Sequence, residues 1–122
     1  PKVQSIINAQ PPYLMAFTLT DLEIDVRSMP EPYILLHNLP RASYGFNYTE
    51  PQRTASLFGP QTPAILLEND GVIVTGETIA KAYDRLEVVE FMSRSLLELP
   101  SLDRAVRLTD EQLADLDTHF PG

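Results

Sequence analysis

The chain contains no cysteine, which removes disulfides, thiolate metal sites and cysteine nucleophiles together. Basic residues are few. Nine Lys and Arg stand against seventeen Asp and Glu, a net charge of −8, and that balance opposes a phosphate backbone and argues against nucleic-acid binding. No apolar run reaches the roughly 18 to 20 residues needed to cross a bilayer, and the N-terminus lacks the basic-then-apolar pattern of a signal peptide. A soluble, cytoplasmic chain with no membrane partner is expected. Histidine is limited to His37 and His119, and Gly-x-Gly-x-x-Gly and phosphate-loop patterns are missing. The serines, Ser5, Ser28, Ser43, Ser56, Ser93, Ser95 and Ser101, lack any nucleophile-elbow context.

What is present fits one domain, 1–122, with 101–122 as a C-terminal tail carrying a short helix. The 43% hydrophobic and 21% charged residues suit a folded chain, so the eleven prolines are expected in loops and at element ends. Pro1 runs almost at once into a strand-like stretch from Val3 to Ala9, an abrupt start that predicts a missing N-terminal part. Pro11 and Pro12 stop that strand, and Pro12 opens a short helix through Phe17. After a polar link from Asp21 to Met29, a second proline-led helix is predicted over Pro30–Leu36. Asp21, Glu23 and Asp25 in the link read as a solvated acidic stretch rather than a cation loop. A brief strand within Leu39–Tyr44 and a helix over Pro51–Phe58, closed by Gly59-Pro60, follow.

Ala64-Ile65-Leu66-Leu67 and Val72-Ile73-Val74 form two apolar runs joined by Glu68-Asn69-Asp70-Gly71, a hairpin signal in which Asp70 and Gly71 take positive φ. The longest helix comes next, with Ile79, Ala82, Tyr83, Leu86, Val89, Met92, Leu96 and Leu97 as its apolar face and Pro100 as its stop. Glu77 with Lys81 and Glu90 with Arg94 are spaced as surface ion pairs. Thr109-Asp110-Glu111-Gln112 is a capping-box pattern that starts a helix toward Phe120.

Three stretches in order, Ser5-Ile6-Ile7-Asn8-Ala9-Gln10-Pro11-Pro12-Tyr13, Pro63-Ala64 through Thr75-Gly76, and Ala82-Tyr83-Asp84-Arg85-Leu86-Glu87-Val88-Val89-Glu90, resemble the class II aldolase/adducin family. The resemblance covers nearly the whole chain and matches the C-terminal two-thirds of that fold. It implies a three-layer α/β/α sandwich around a central, largely antiparallel sheet. Members include zinc-dependent sugar-phosphate aldolases, related epimerases and non-catalytic adducins, usually as tetramers.

In the catalytic members a strand ends in His-x-His-Pro-Pro and a later Asn-His-Gly supplies a third imidazole to zinc. By that resemblance the three ligand places are held here by Asn8, Gln10 and Asp70. Amide oxygens are weak zinc ligands and one carboxylate does not replace three imidazoles, so the Lewis acid of the ordinary reaction is expected to be absent. Three oxygen donors would suit a hard divalent cation only with water or ligand completing the shell, and mutual hydrogen bonding is the plainer expectation. The family's acid/base glutamate and glycine-rich phosphate loops lie upstream of the matched region.

His37 and His119 fall outside the ligand positions and read as packed or surface residues. Tyr33, Tyr44, Phe46, Tyr48 and Phe58 suit core packing, a pocket wall or a subunit contact. The resulting expectation is a binding or assembly module without a cofactor, forming a homo-oligomer or joined by a partner chain, with a small carbohydrate as possible ligand. The alternative is a lyase or epimerase acting on a small sugar phosphate through another ion or a partner chain.

Overall fold

In β1 (Ser5–Ala9), alternation sends Ser5, Ile7 and Ala9 to one face and Ile6 and Asn8 to the other. This computed structural model describes residues 3–99 and 106–121. β1 runs antiparallel to β4 (Gly71–Gly76), with Asn8 opposite Ile73 and Ala9 opposite Val72. β3 (Ala64–Leu67) pairs antiparallel with the other side of β4, and the two-residue β2 (Arg41–Ala42) adds parallel to β3. The order is β1-β4-β3-β2, so the sheet is mixed but mostly antiparallel.

The period-two pattern divides the sheet's side chains between two clusters. On the first face Ile7, Ala64, Leu66, Val72 and Val74 meet α1 (Pro12–Thr18), α2 (Pro30–Leu36) and α5 (Ile79–Leu97) through Leu14, Phe17, Leu36, Val89 and Met92. On the second face Ala42, Ile65, Leu67 and Ile73 pack with Phe46 of α3 (Phe46–Thr49) and with Leu57 and Phe58 just beyond α4 (Pro51–Ala55). Helices therefore flank both faces, as the three-layer α/β/α expectation requires. α6 (Asp110–His119) carries the expected capping box at Thr109 and Gln112, and its Asp117 accepts a hydrogen bond from the Tyr33 hydroxyl of α2 at 2.8 Å. Pro1, Pro100 and the start of the tail at residue 101 lie outside the described residues.

Several local expectations change. The predicted helix over Pro51–Phe58 stops at Ala55, the strand within Leu39–Tyr44 shrinks to two residues, and the polar link contains a one-turn 3-10 helix, Val26–Ser28, capped by Asp25. On α5 the buried residues are Ala82, Val88, Val89, Met92, Ser93 and Leu96, whereas Ile79, Tyr83 and Leu97 are exposed. At about 100° per residue, Ile79, Tyr83 and Leu97 fall to one side of a stripe centred near Val89, beyond the arc that one sheet face covers.

Glu90 departs furthest from its expected surface role. Its carboxylate accepts from the backbone N–H of Tyr13 at 2.9 Å and of Leu14 at 2.8 Å, while Arg94 pairs with Glu98 at 3.1 Å. α1 begins after Pro11 with no side-chain cap of its own, so Glu90 supplies that cap from α5. The Glu77–Lys81 pair forms as expected, at 3.7 Å. Among the described residues no helix is long and apolar enough to cross a membrane.

Candidate functional site

Where β4 begins, the hairpin turn brings chain from three places together. The ladder extends to Leu67 opposite Gly71, so the turn itself is Glu68–Asp70, closed by the Asp70 N–H donating to the Leu67 carbonyl at 3.1 Å. Positive φ falls on Asn69, at 62°, and on neither Asp70 nor Gly71. Asparagine tolerates that region better than most side chains. Gly71 is required for another reason: a Cβ there would strike the Ala9 carbonyl and come within 3.2 Å of Gln10 Cγ. The end of β1 thus lies directly against the turn.

That closeness positions Gln10, whose Nε2 donates to Asp70 Oδ1 at 3.3 Å. The second carboxylate oxygen accepts from Asn47 Nδ2, also at 3.3 Å. Asn47 is carried by α3, which starts at Gly45 with φ 88°, a left-handed conformation that suits glycine. Tyr48 follows on the same helix. Its phenol is pushed above the ordinary range, first by the neighbouring Tyr44 hydroxyl, then by slight desolvation and by the Asp70 carboxylate. The Tyr44 and Tyr48 rings meet edge to face with centroids 6.3 Å apart, and both remain exposed.

Of the three positions singled out in the sequence, Gln10 and Asp70 are joined directly. Asn8 projects from the same face of β1, opposite Ile73, and its side chain makes no hydrogen bond among the described residues. Asn47 was not foreseen. The only local signal for it is Gly45, which marks where the chain turns into α3 beneath the sheet.

The donor set does not fit zinc. It holds no imidazole or thiolate, and both oxygens of its single carboxylate already accept from neutral amides. No cluster of three or more His, Cys, Asp or Glu side chains suited to a metal occurs among the described residues. What the arrangement offers is a row of amide donors and acceptors beside two phenols, a surface able to exchange hydrogen bonds with a polar, hydroxylated molecule.

The histidines lie elsewhere. His37 follows α2, with its ring against Tyr33 and its Nε2 3.8 Å from Asp117. His119 is exposed near the end of α6, with Nδ1 3.4 Å from Asp115.

Comparison with known proteins gives a consistent likeness. Residues 1–97 match the family model described as the class II aldolase and adducin N-terminal domain. The fold resembles YgbL from Klebsiella pneumoniae, described as a candidate aldolase/epimerase/decarboxylase, with 25% identity and TM-score 0.76 over 95% of this chain and 58% of that one. A sugar-phosphate aldolase from Thermotoga maritima superposes with 24% identity and TM-score 0.71, covering 85% of this chain and 48% of that one. The L-fuculose 1-phosphate aldolase from Glaciozyma antarctica PI12 gives 18% identity and TM-score 0.75, over 98% of this chain and 45% of that one. The chain thus spans between 45% and 58% of the length of these structures. No curated protein matches it by sequence search.

Proposed function

The chain belongs to the class II aldolase and adducin N-terminal domain family, and within that family we propose that it is a binding or assembly module with a degenerate metal site rather than a zinc-dependent aldolase. The observation that carries this reading is the engagement of both Asp70 oxygens by Gln10 and Asn47 amides. A carboxylate held this way orients two amide groups instead of gripping a cation, and Lewis-acid polarisation of a carbonyl then has no electrophile at this place.

The ligand we assign to the site is a small carbohydrate, whose hydroxyls match the amide and carboxylate groups and whose apolar face would rest on Tyr44 or Tyr48. The likeness to sugar-phosphate and L-fuculose 1-phosphate aldolases supports that choice. The assembly we assign is a homo-oligomer. β1 is an edge strand with Val3 and Ile6 exposed, and an unpaired edge of that kind favours pairing with further chain. The setting we assign is the cytoplasm, in keeping with a sequence free of cysteine.

Elemental analysis of the purified protein, combined with a retro-aldol assay on sugar phosphates, tests the reading. The expected result is no bound stoichiometric metal and no metal-dependent cleavage. Cleavage that a chelator abolishes would overturn it in favour of a lyase using another ion.

A further inference from the structure

On the opposite face of the sheet from Asp70, a cavity of about 610 Å³ opens between the 3-10 helix, the end of α2 and the start of β2. Its volume falls in the range of small-molecule sites, roughly 300 to 1,000 Å³. Three of the chain's nine Lys and Arg side chains, Arg27, Arg41 and Arg107, line it, in a protein whose net charge is −8. Glu23 and Asp25 line it too, Asn38 and Gln61 add amide groups, with Asn38 Nδ2 donating to the Gln61 carbonyl and Oδ1 accepting from Thr62, and Leu66 contributes an apolar wall from the sheet.

The cations are not equally engaged. Arg107 is matched by Asp25 at 2.7 Å. Arg41 is held by its Nη2, which donates to the Phe17 carbonyl at 2.9 Å and also to that of Leu22. Its Nη1 is buried, makes no hydrogen bond among the described residues and pairs with the Glu68 carboxylate at 3.7 Å. Arg27 makes no ion pair among the described residues, and its positive charge acts on the nearby Tyr33 phenol.

The backbone of the cavity wall carries strain as well. His37 has φ 61° and ψ −46°, and the Asn38 N–H donates to the Leu36 carbonyl at 2.6 Å, a tight three-residue turn of the rare form. For a histidine this is an unfavourable conformation, and strain of this kind concentrates where a site must be shaped. The turn places Asn38 and His37 at the rim beside Arg41.

We propose that this cavity is a binding site for a small oxyanion-bearing molecule, a phosphate ester or carboxylate, received by Arg27, the lining arginine with no ion pair among the described residues, with Asn38 and Gln61 as hydrogen-bonding partners. Guanidinium groups meet such oxygens through paired, charge-assisted hydrogen bonds, which makes arginine the suited residue. The amide and apolar walls accommodate the uncharged body of the molecule. The site is independent of the Asp70 cluster and of any reaction there.

The test is a titration followed in ¹H–¹⁵N spectra, with inorganic phosphate in one arm and acetate in the other, at ionic strength held constant with sodium chloride. Saturable shifts of the Asn38, Arg41 and Gln61 amides are expected, and the tighter arm identifies the oxyanion class. Arg27→Gln should weaken binding about fivefold or more, and Glu23→Gln, which removes a negative charge from the lining, should tighten it about twofold. Both side chains are exposed, so either variant keeps the fold available for measurement. Shifts that fail to saturate, that appear instead around Gln10 and Asp70, or that saturate equally in both variants would overturn the proposal.

Discussion

Replacing Glu90 by alanine removes a contact that links α5 to the first turn of α1. In the native chain one carboxylate accepts from two backbone N–H groups, Tyr13 at 2.9 Å and Leu14 at 2.8 Å. Hydrogen bonds to a charged group contribute about 1.5 to 3 kcal/mol each in favourable settings, and loss of a helix N-cap costs about 0.5 to 2 kcal/mol. Glu90 is only partly buried, so the lower half of these ranges applies, giving about 2 to 3 kcal/mol for Glu90→Ala. For a chain of this length that corresponds to about 8 to 12 °C in Tm. Glu90→Gln retains one acceptor and should lose about half as much. Urea unfolding followed by circular dichroism provides the measurement, with an unchanged slope against denaturant as the sign that the native fold persists. Lys81→Ala is the matched control, because Lys81 pairs with Glu77 on the exposed side at 3.7 Å and should cost a few tenths of a kcal/mol. Equal, small losses for Glu90→Ala and Lys81→Ala would refute the bridging role.

Gly71→Ala should destabilise by about 1 to 3 kcal/mol, since the added methyl meets the fixed Ala9 carbonyl; thermal unfolding that is unchanged would contradict the close approach of β1. The Tyr33 hydroxyl is held protonated above its ordinary range by burial first and then by its hydrogen bond to Asp117. Its stabilising effect is therefore complete below pH of about 10 and declines as pH rises toward the higher folded value, and Tyr33→Phe should remove that alkaline slope in denaturant midpoints. Thr109→Ala breaks the capping box of α6 and should cost about 1 kcal/mol with a loss of helical signal, which a circular dichroism melt would detect.

The features readable from sequence were those written in neighbouring residues. Pro12 and Pro30 announced the helix starts they occupy, Thr109 and Gln112 announced a cap, and the apolar runs around Asp70 announced paired strands. The misjudged features depend on distant parts of the chain. Glu90 has Arg94 at the right spacing for a surface pair, but the amides that claim it are 76 and 77 residues away. Asp-Gly suggested positive φ at both residues, yet the register carries Gly71 into the ladder and moves the bend to Asn69. The buried stripe of α5 is narrower than its sequence predicts because periodicity alone does not say how much of a helix the sheet covers.

The candidate site divides the same way. Its three sequence-derived positions came from family likeness, and two of them, Gln10 and Asp70, meet in the structure. Asn47 reaches them from a four-residue helix whose composition, flanked by Phe46 and Tyr48, reads as aromatic packing. Arg41 was invisible for a related reason. Its significance lies in the cavity it lines together with Arg27 and Arg107, a property of three-dimensional enclosure rather than of spacing.

Calorimetric titration of zinc into the purified chain, beside Asp70→Asn, tests most directly whether this site has left metal chemistry behind. A carboxylate already shared between two amides predicts no saturable heat in the micromolar range for either protein. One-to-one binding by the native chain that Asp70→Asn abolishes would contradict it.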